Sequence, residues 1–203
     1  MQTRNNIAFK EWASVVNALA QGKQILILRK GGIREENGQF QVEHNEFFLF
    51  PTYEHQNKED LKTEVHYDLE MTIRTKPEPN EIPIRYYVQI VDVLQLTEES
   101  DLTLLQPYHV WSEKAVANRF HFGKEKGLFA IAARIYRLPI PHLVAFEPEY
   151  GGCKSWVELK QGLSTEGARP VLNDADFQNN WRLINSLFLK SGGRNQSRLK
   201  FRS

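Results

Sequence analysis

The chain has 203 residues, 41% of them hydrophobic, and its 26 basic and 25 acidic side chains leave a net charge of +1. That suits one large domain, or one domain with an appendage, and argues against a strongly basic protein that coats nucleic acid without selection. A single cysteine, Cys153, excludes an internal disulfide framework and a cysteine-built zinc site. With no signal-type apolar core in MQTRNNIAFKEW and no apolar run near the roughly 18 residues of a membrane span, the expectation is a soluble, cytoplasmic protein.

In chain order, residues 7–21 read as a helix. Phe9, Trp12, Val15, Val16 and Leu19 fall on one face, Asn5 or Asn6 can cap the start, and Gly22 can end it. Residues 24–28 form an apolar run of strand length, and continuous apolarity over so few residues suggests burial on both faces. Gly31-Gly32 gives a turn, and Asn37-Gly38 between extended segments is a hairpin signal. Phe47 to Phe50 reads as a second buried strand stopped by Pro51, and it is expected to pair with the first. Residues 54–65 read as loop or short helix. Residues 67–75 alternate, placing Tyr67, Leu69, Met71 and Ile73 on one face of a half-exposed strand.

A proline-rich break at 76–80 precedes the clearest long strand, 84–96. Thr97 opens a displaced capping-box pattern with a short helix to Leu105. Ser112 is a good cap for a helix over 113–122, with Val116 and Phe120 inward and Gly123 as its stop. Residues 127–138 read as a strand running into Pro139 and Pro141. Residues 148–163 read as loop with a short strand at 156–159. Asp174 is placed as the cap of a last helix lined by Phe177, Trp181, Ile184 and Phe188, and the basic tail 191–203 reads as disordered. The boundaries expected are one α+β domain over 1–172, a helix packed on it over 173–190, and the tail. Strands outnumber helices and βαβ alternation is missing, so the fold class is mixed α+β, with a barrel-like sheet and helices at its ends.

Four blocks carry a resemblance over most of the first 160 residues: Phe9-Lys10-Glu11-Trp12, residues 25–33, residues 50–56 and residues 152–159. They resemble a bacterial family, common in cyanobacteria, catalogued as domain of unknown function 1802, and this brings no activity with it. Ala18-Leu19-Ala20-Gln21-Gly22-Lys23, followed by a strand ending in Arg29, also looks like the start of an ASCH domain, of the PUA-like superfamily. That resemblance implies a small β-barrel and, as partner, RNA or a modified base; a few members hydrolyse base amides.

The residues suggest a binding rim of Lys23, Arg29, Lys30 and Arg34, joined by Arg119, to neutralise phosphates, with Tyr53 and Trp111 to stack a base. The bland alternative is a solvated loop, with Trp111 a core side chain. An enzyme alternative takes Glu149, Glu158 and Lys160 as a PD-(D/E)xK-like set. There the carboxylates would hold Mg²⁺ and the lysine would position water. A metal site from Glu43, His44, Glu46, Glu54 and His55 is weaker, for want of a tight histidine pair. Cys153 has no base at any telling spacing and reads as an idle thiol. A scaffold that binds a protein partner is the plain third reading, with no resident cofactor expected.

Overall fold

The protein is described from a computed structural model covering residues 1–30, 43–78, 80–123, 126–152 and 154–190, with backbone alone at 35–36, 39–40 and 189–190. The strands are β1 (Arg4–Trp12), β2 (Leu26–Arg29), β3 (Glu35–Glu36), β4 (Gln39–Phe40), β5 (Glu46–Thr52), β6 (Glu81–Leu96), β7 (Leu128–Ala145), β8 (Trp156–Ser164) and β9 (Arg169–Pro170). The helices are α1 (Ala13–Ala20), α2 (His66–Arg74), α3 (Glu99–Leu105), α4 (Glu113–His121) and α5 (Asp174–Lys190). Seven strands make one sheet in the order β2-β7-β6-β5-β1-β8, with β9 on β7, and β3 pairs β4 as a separate hairpin. The fold is therefore mixed α+β, as expected, and its sheet does not close into a barrel.

The open sheet nevertheless curls. Arg29 lies on one edge strand and Lys10 on the strand next to the other edge, with three strands between them in the order. In a flat sheet, four strand spacings would hold β2 and β1 about 19 Å apart. Yet the Arg29 guanidinium donates to the Lys10 carbonyl. Bulges at Asn5/Ile7, Ile84/Tyr86 and Ile90/Asp92 supply local bends, added to the normal right-handed twist.

Alternation along the strands feeds a core on each face. Phe9, Phe47, Leu49 and Val88 join the larger cluster with α1, β2, α4 and α5. Their neighbours Ala8, Phe48, Phe50 and Tyr87 join the second cluster, with Ile82, Ile84, Tyr150 and Leu159. Burial on both faces explains why 47–50 is apolar without a break.

Several expected elements differ. Residues 4–12 are strand, and only 13–20 are helix. Apolar residues 9, 12, 15, 16 and 19 fit a helical period, but β1 is held parallel to β5 and antiparallel to β8, and that pairing outweighs local propensity. Gly22 does end α1, at φ +69°. Its N–H donates to the Leu19 carbonyl (3.1 Å) and that of Lys23 to the Ala18 carbonyl (3.0 Å), a Schellman closure. The strand expected at 67–75 is α2. Leu69 and Thr72 point inward three residues apart, Tyr67, Met71 and Ile73 are exposed, and Asp68 and Arg74 suit the helix dipole.

β2 does not pair with β5; its partner is β7. β7 runs on through Pro139 and Pro141, because the register to β6 jumps from Tyr86↔Arg137 to Ile84↔His142 and leaves both prolines out of the ladder. Ser112 caps α4 as expected, accepting from the Ala115 N–H at 3.2 Å. The cap of α5 is Asn173 rather than Asp174. Its Oδ1 accepts from the Asp176 N–H, while Asp174 pairs with Arg134 at 2.5 Å. Phe177, Trp181, Ile184 and Phe188 form the buried face of α5, as the sequence spacing indicates. Among the described residues no helix is long and apolar enough to cross a membrane.

Candidate nucleic-acid interface

The curl brings one end of β1 against the end of β2. Period two puts Phe9 and Glu11 on the same side of β1, facing the interior. Arg29 meets both: its guanidinium lies 4.3 Å from the Phe9 ring centre, and Nη2 is 3.3 Å from Glu11 Oε2. Glu11 is buried, with 4% of its surface exposed. Its Oε1 accepts from the Trp12 N–H (2.8 Å), and its carbonyl accepts from Thr52 Oγ1 (3.2 Å) on β5.

α4 adds a second cation. Arg119 lies 3.4 Å over the Trp111 ring, which contacts the Trp12 ring at 4.8 Å. Burial pulls the Arg119 pKa below its ordinary value, opposed by the Glu11 charge and reinforced by that of Arg29. One guanidinium thus pairs with a buried carboxylate and a second, from a distant part of the sequence, feels its charge while stacked on a tryptophan.

The loop carrying Trp111 is held by polar contacts. Gln24 Oε1 accepts from the Val110 N–H (3.0 Å), and Lys62 Nζ donates to the carbonyls of His109 (2.6 Å) and Gln106. His109 is 3% exposed; burial, then the Lys62 charge, pushes its pKa from 6.5 to about 3, so the ring is neutral at ordinary pH. Gln56 Oε1 accepts from the N–H (3.0 Å) and Oγ (2.7 Å) of Ser14 in the first turn of α1. Against these bonds stand buried polar atoms without a hydrogen-bond partner: Glu11 Oε2, Arg29 Nε, Gln56 Nε2, Trp111 Nε1 and both ring nitrogens of His109. Native interiors satisfy most such atoms, so a cluster of them stands out from the rest of the core.

Of the residues proposed from sequence, Arg29, Arg119 and Trp111 meet here. Trp111 is 1% exposed and carries Arg119, so its ring is a support rather than an open stacking face. Lys30 donates to the carbonyls of Phe120 and Gly127, both at 2.9 Å, tying the end of α4 to the start of β7. Lys23 stands before the other end of β2 and pairs with Asp68 at 2.6 Å, away from Arg29. Arg34 and Cys153 lie outside the described residues. Tyr53 is half-buried just after β5, its hydroxyl pKa raised by burial and partly restored by Arg85.

Glu149, Glu158 and Lys160 share no hydrogen bond or ion pair, although the Glu149 charge, behind that of Glu147, helps raise the Lys160 pKa. Lys160 pairs with Glu147 at 2.7 Å, Glu158 accepts from Asn6 Nδ2 at 3.1 Å, and all three are exposed on or beside edge strand β8. Among the described residues no group of three or more His, Cys, Asp or Glu could hold a metal ion. Of the histidine–carboxylate set, Glu46 is taken by Tyr87 and Gln89, and His44 packs edge-on to Trp156. Sequence reasoning missed Glu11, because a helix reading of 7–21 hides that it shares a face with Phe9. Read as a strand, a carboxylate on an interior face is a warning sign.

Fold and cluster together define a mixed α+β protein with a charged, incompletely bonded cluster where the curled sheet brings β1 against β2. The chain belongs to the family described as Domain of unknown function (DUF1802), whose model matches residues 8–182. No curated protein matches it. Among solved structures it is similar to the crystal structure of ASCH from Zymomonas mobilis, at 10% identity and a TM-score of 0.44, over 89% of this chain and 94% of that one. A single-substitution mutant of that protein gives 12% identity and a TM-score of 0.41, over 90% and 99%.

Proposed function

We propose that this chain is a PUA-like nucleic-acid or modified-nucleotide binding module, acting in the cytoplasm, with its contact surface at the Glu11–Arg29–Arg119 cluster. The observation that carries the reading is the ion pair of Arg29 with the buried Glu11 carboxylate, next to Arg119 stacked on Trp111, whose ring contacts Trp12. Guanidinium groups suit a nucleotide better than a metal or an acyl substrate, because they match its anionic parts and can stack on its bases. Arg29 and Arg119 take over the role first given to the wider rim, with Lys30 bracing α4 behind them. Tyr53 and the basic residues of 191–203 are candidates for additional contacts along a strand.

The test is binding of short fluorescent single-stranded RNA and DNA at two salt concentrations, with and without Mg²⁺. Binding that weakens steeply with salt, without cleavage, and falls on Arg119→Gln supports the reading. Silence at both salts overturns it. Cleavage that requires Mg²⁺ would replace it with a nuclease.

A further inference from the structure

Resting on that reading, we infer that the nucleic acid is gripped at a second point, by Arg137 and Arg169, which close on one phosphate group of its backbone.

The register of the sheet sets the two side by side. Arg137 on β7 stands directly opposite Tyr86 on β6 and Arg169 on β9. Residues opposite one another on neighbouring strands point to the same face, with Cβ atoms about 5 Å apart. The row Tyr86–Arg137–Arg169 therefore carries two adjacent guanidinium groups, and both arginines are exposed. Like charges directly opposite in a sheet are destabilising. Elsewhere the chain answers such cations. Arg134, on the same strand, has Asp174 at 2.5 Å, Lys23 has Asp68 at 2.6 Å, and Lys160 has Glu147 at 2.7 Å. Among the described residues no carboxylate pairs with Arg137 or Arg169, and Glu166, the nearest acid to Arg169 in sequence, pairs with neither.

The pair is nevertheless held in place. Arg137 Nη2 donates to the Ala20 carbonyl at the end of α1 (3.3 Å), and its guanidinium lies 5.8 Å from the Tyr86 ring centre. That leaves most of its N–H donors unspent. Arg169 follows a tight turn in which the Ala168 N–H donates to the Thr165 carbonyl (3.1 Å) and Gly167 takes φ +74° beside Pro139. Thr165 is buried, its N–H on the Thr3 carbonyl (3.0 Å), and the Val171 N–H donates to the Ile135 carbonyl (2.9 Å) just past β9. Two positioned guanidinium groups with no carboxylate between them suit a phosphate. Its oxygens accept from both, and its charge removes their repulsion. Arg137 lies eight residues along β7 from Phe129, the partner of Arg29, about 27 Å of extended strand, so this contact is separate from the Glu11 cluster. It adds affinity without selecting a base.

The experiment measures binding of a single-stranded oligonucleotide, and of an abasic strand with the same phosphates, to the full chain over about a tenfold range of salt. Arg137→Gln combined with Arg169→Gln should lower the slope of log affinity against log salt by about 0.7, the share of one phosphate on a single strand, or about fivefold in affinity at about 0.1 M salt. The loss should be the same on both probes. Arg169→Gln alone should show part of it while melting no lower than the natural chain, because the Arg169 side chain has no hydrogen bond or ion pair among the described residues. Arg182→Gln removes one exposed charge on α5 and should leave the slope unchanged. If the probes bind and the double variant keeps the natural slope, or if its loss is confined to the strand that carries bases, the inference falls and the nucleic-acid reading stands. If neither probe binds the natural chain, both fall. Arg169→Gln decides the matter even if the double variant does not fold: a loss no larger than that of Arg182→Gln overturns the inference.

Discussion

Two polar networks lie on this sheet, one partly buried and one buried, and they are finished to different degrees. On the second-cluster side, Glu46 Oε2 accepts from Tyr87 Oη (2.9 Å) and the Gln2 N–H (2.7 Å), and Oε1 accepts from Gln89 Nε2 (2.9 Å). Asn5 Nδ2 donates to Tyr87 Oη and to the Glu46 carbonyl, and Tyr136 Oη donates to Gln89 Oε1. Burial pushes the Glu46 pKa up, but these bonds outweigh it and leave the carboxyl below its ordinary value. None of these side chains is among those left with a buried unpartnered atom, whereas Glu11, Arg29, Gln56, His109 and Trp111 all are. A complete network stabilises and specifies a fold; an incomplete one costs stability unless something else completes it. On the function proposed above, the difference separates scaffold from site.

The sharpest way to break the comparison is at the Glu11–Arg29 pair. Arg29→Met leaves the buried Glu11 carboxylate without its ion-pair partner. Losing one partner of such a pair should cost about 3 kcal/mol, toward the low end of the usual range because Arg29 is partly exposed. Adding Glu11→Leu should recover most of that loss in denaturant unfolding, while binding of any nucleotide stays lost. Failure of the double variant to recover would mean that Arg29 supports the curl chiefly through the Lys10 carbonyl and Phe9.

Acid separates the two networks next. The His109 pKa is lowered from 6.5 to about 3 in the folded protein, so the unfolded chain takes up the proton more readily. Its contribution is fully present above pH 6.5 and declines as pH falls toward 3, by up to about 1.4 kcal/mol per unit. At pH 5 the loss should be about 2 kcal/mol, and His109→Phe should flatten the curve. Glu46 answers lower, since its depressed pKa keeps its contribution until the pH drops below 4.5. Of the two networks, the incomplete one should therefore be the one that responds in melting curves from pH 7.5 to 5. A smaller effect is expected from Tyr87→Phe, about 1.5 kcal/mol for a buried hydroxyl whose partners are left behind, with no change in ligand affinity.

What could be read from sequence followed from local chemistry. Ser112 announces α4 by its type and place, the apolar face of α5 appears at helical spacing, and the long β-branched run of β6 reads as strand. What could not be read depends on partners far along the chain. Residues 7–12 are strand because β5 and β8 flank them, and β7 passes two prolines because a register jump absorbs them. Arg29 was legible as a candidate, but its partner Glu11 was not. They meet through the curl of a sheet whose strand order no local pattern states.

The smallest expected effect tests how far the site depends on its supports. Ser112 Oγ accepts from the Ala115 N–H and donates to the Glu59 carbonyl (2.9 Å), so it both caps α4 and ties it to the 57–60 segment. Ser112→Ala should cost about 1 kcal/mol, the ordinary value of an N-cap. Arg119 lies toward the other end of α4, next to Phe120, which is buried in the core and whose carbonyl is held by Lys30. Those anchors persist in the variant, so ligand affinity should move by less than about threefold, under 0.7 kcal/mol. If affinity instead falls as far as it does on losing Arg29, the cap sets the position of Arg119, and the scaffold and the site are coupled through α4.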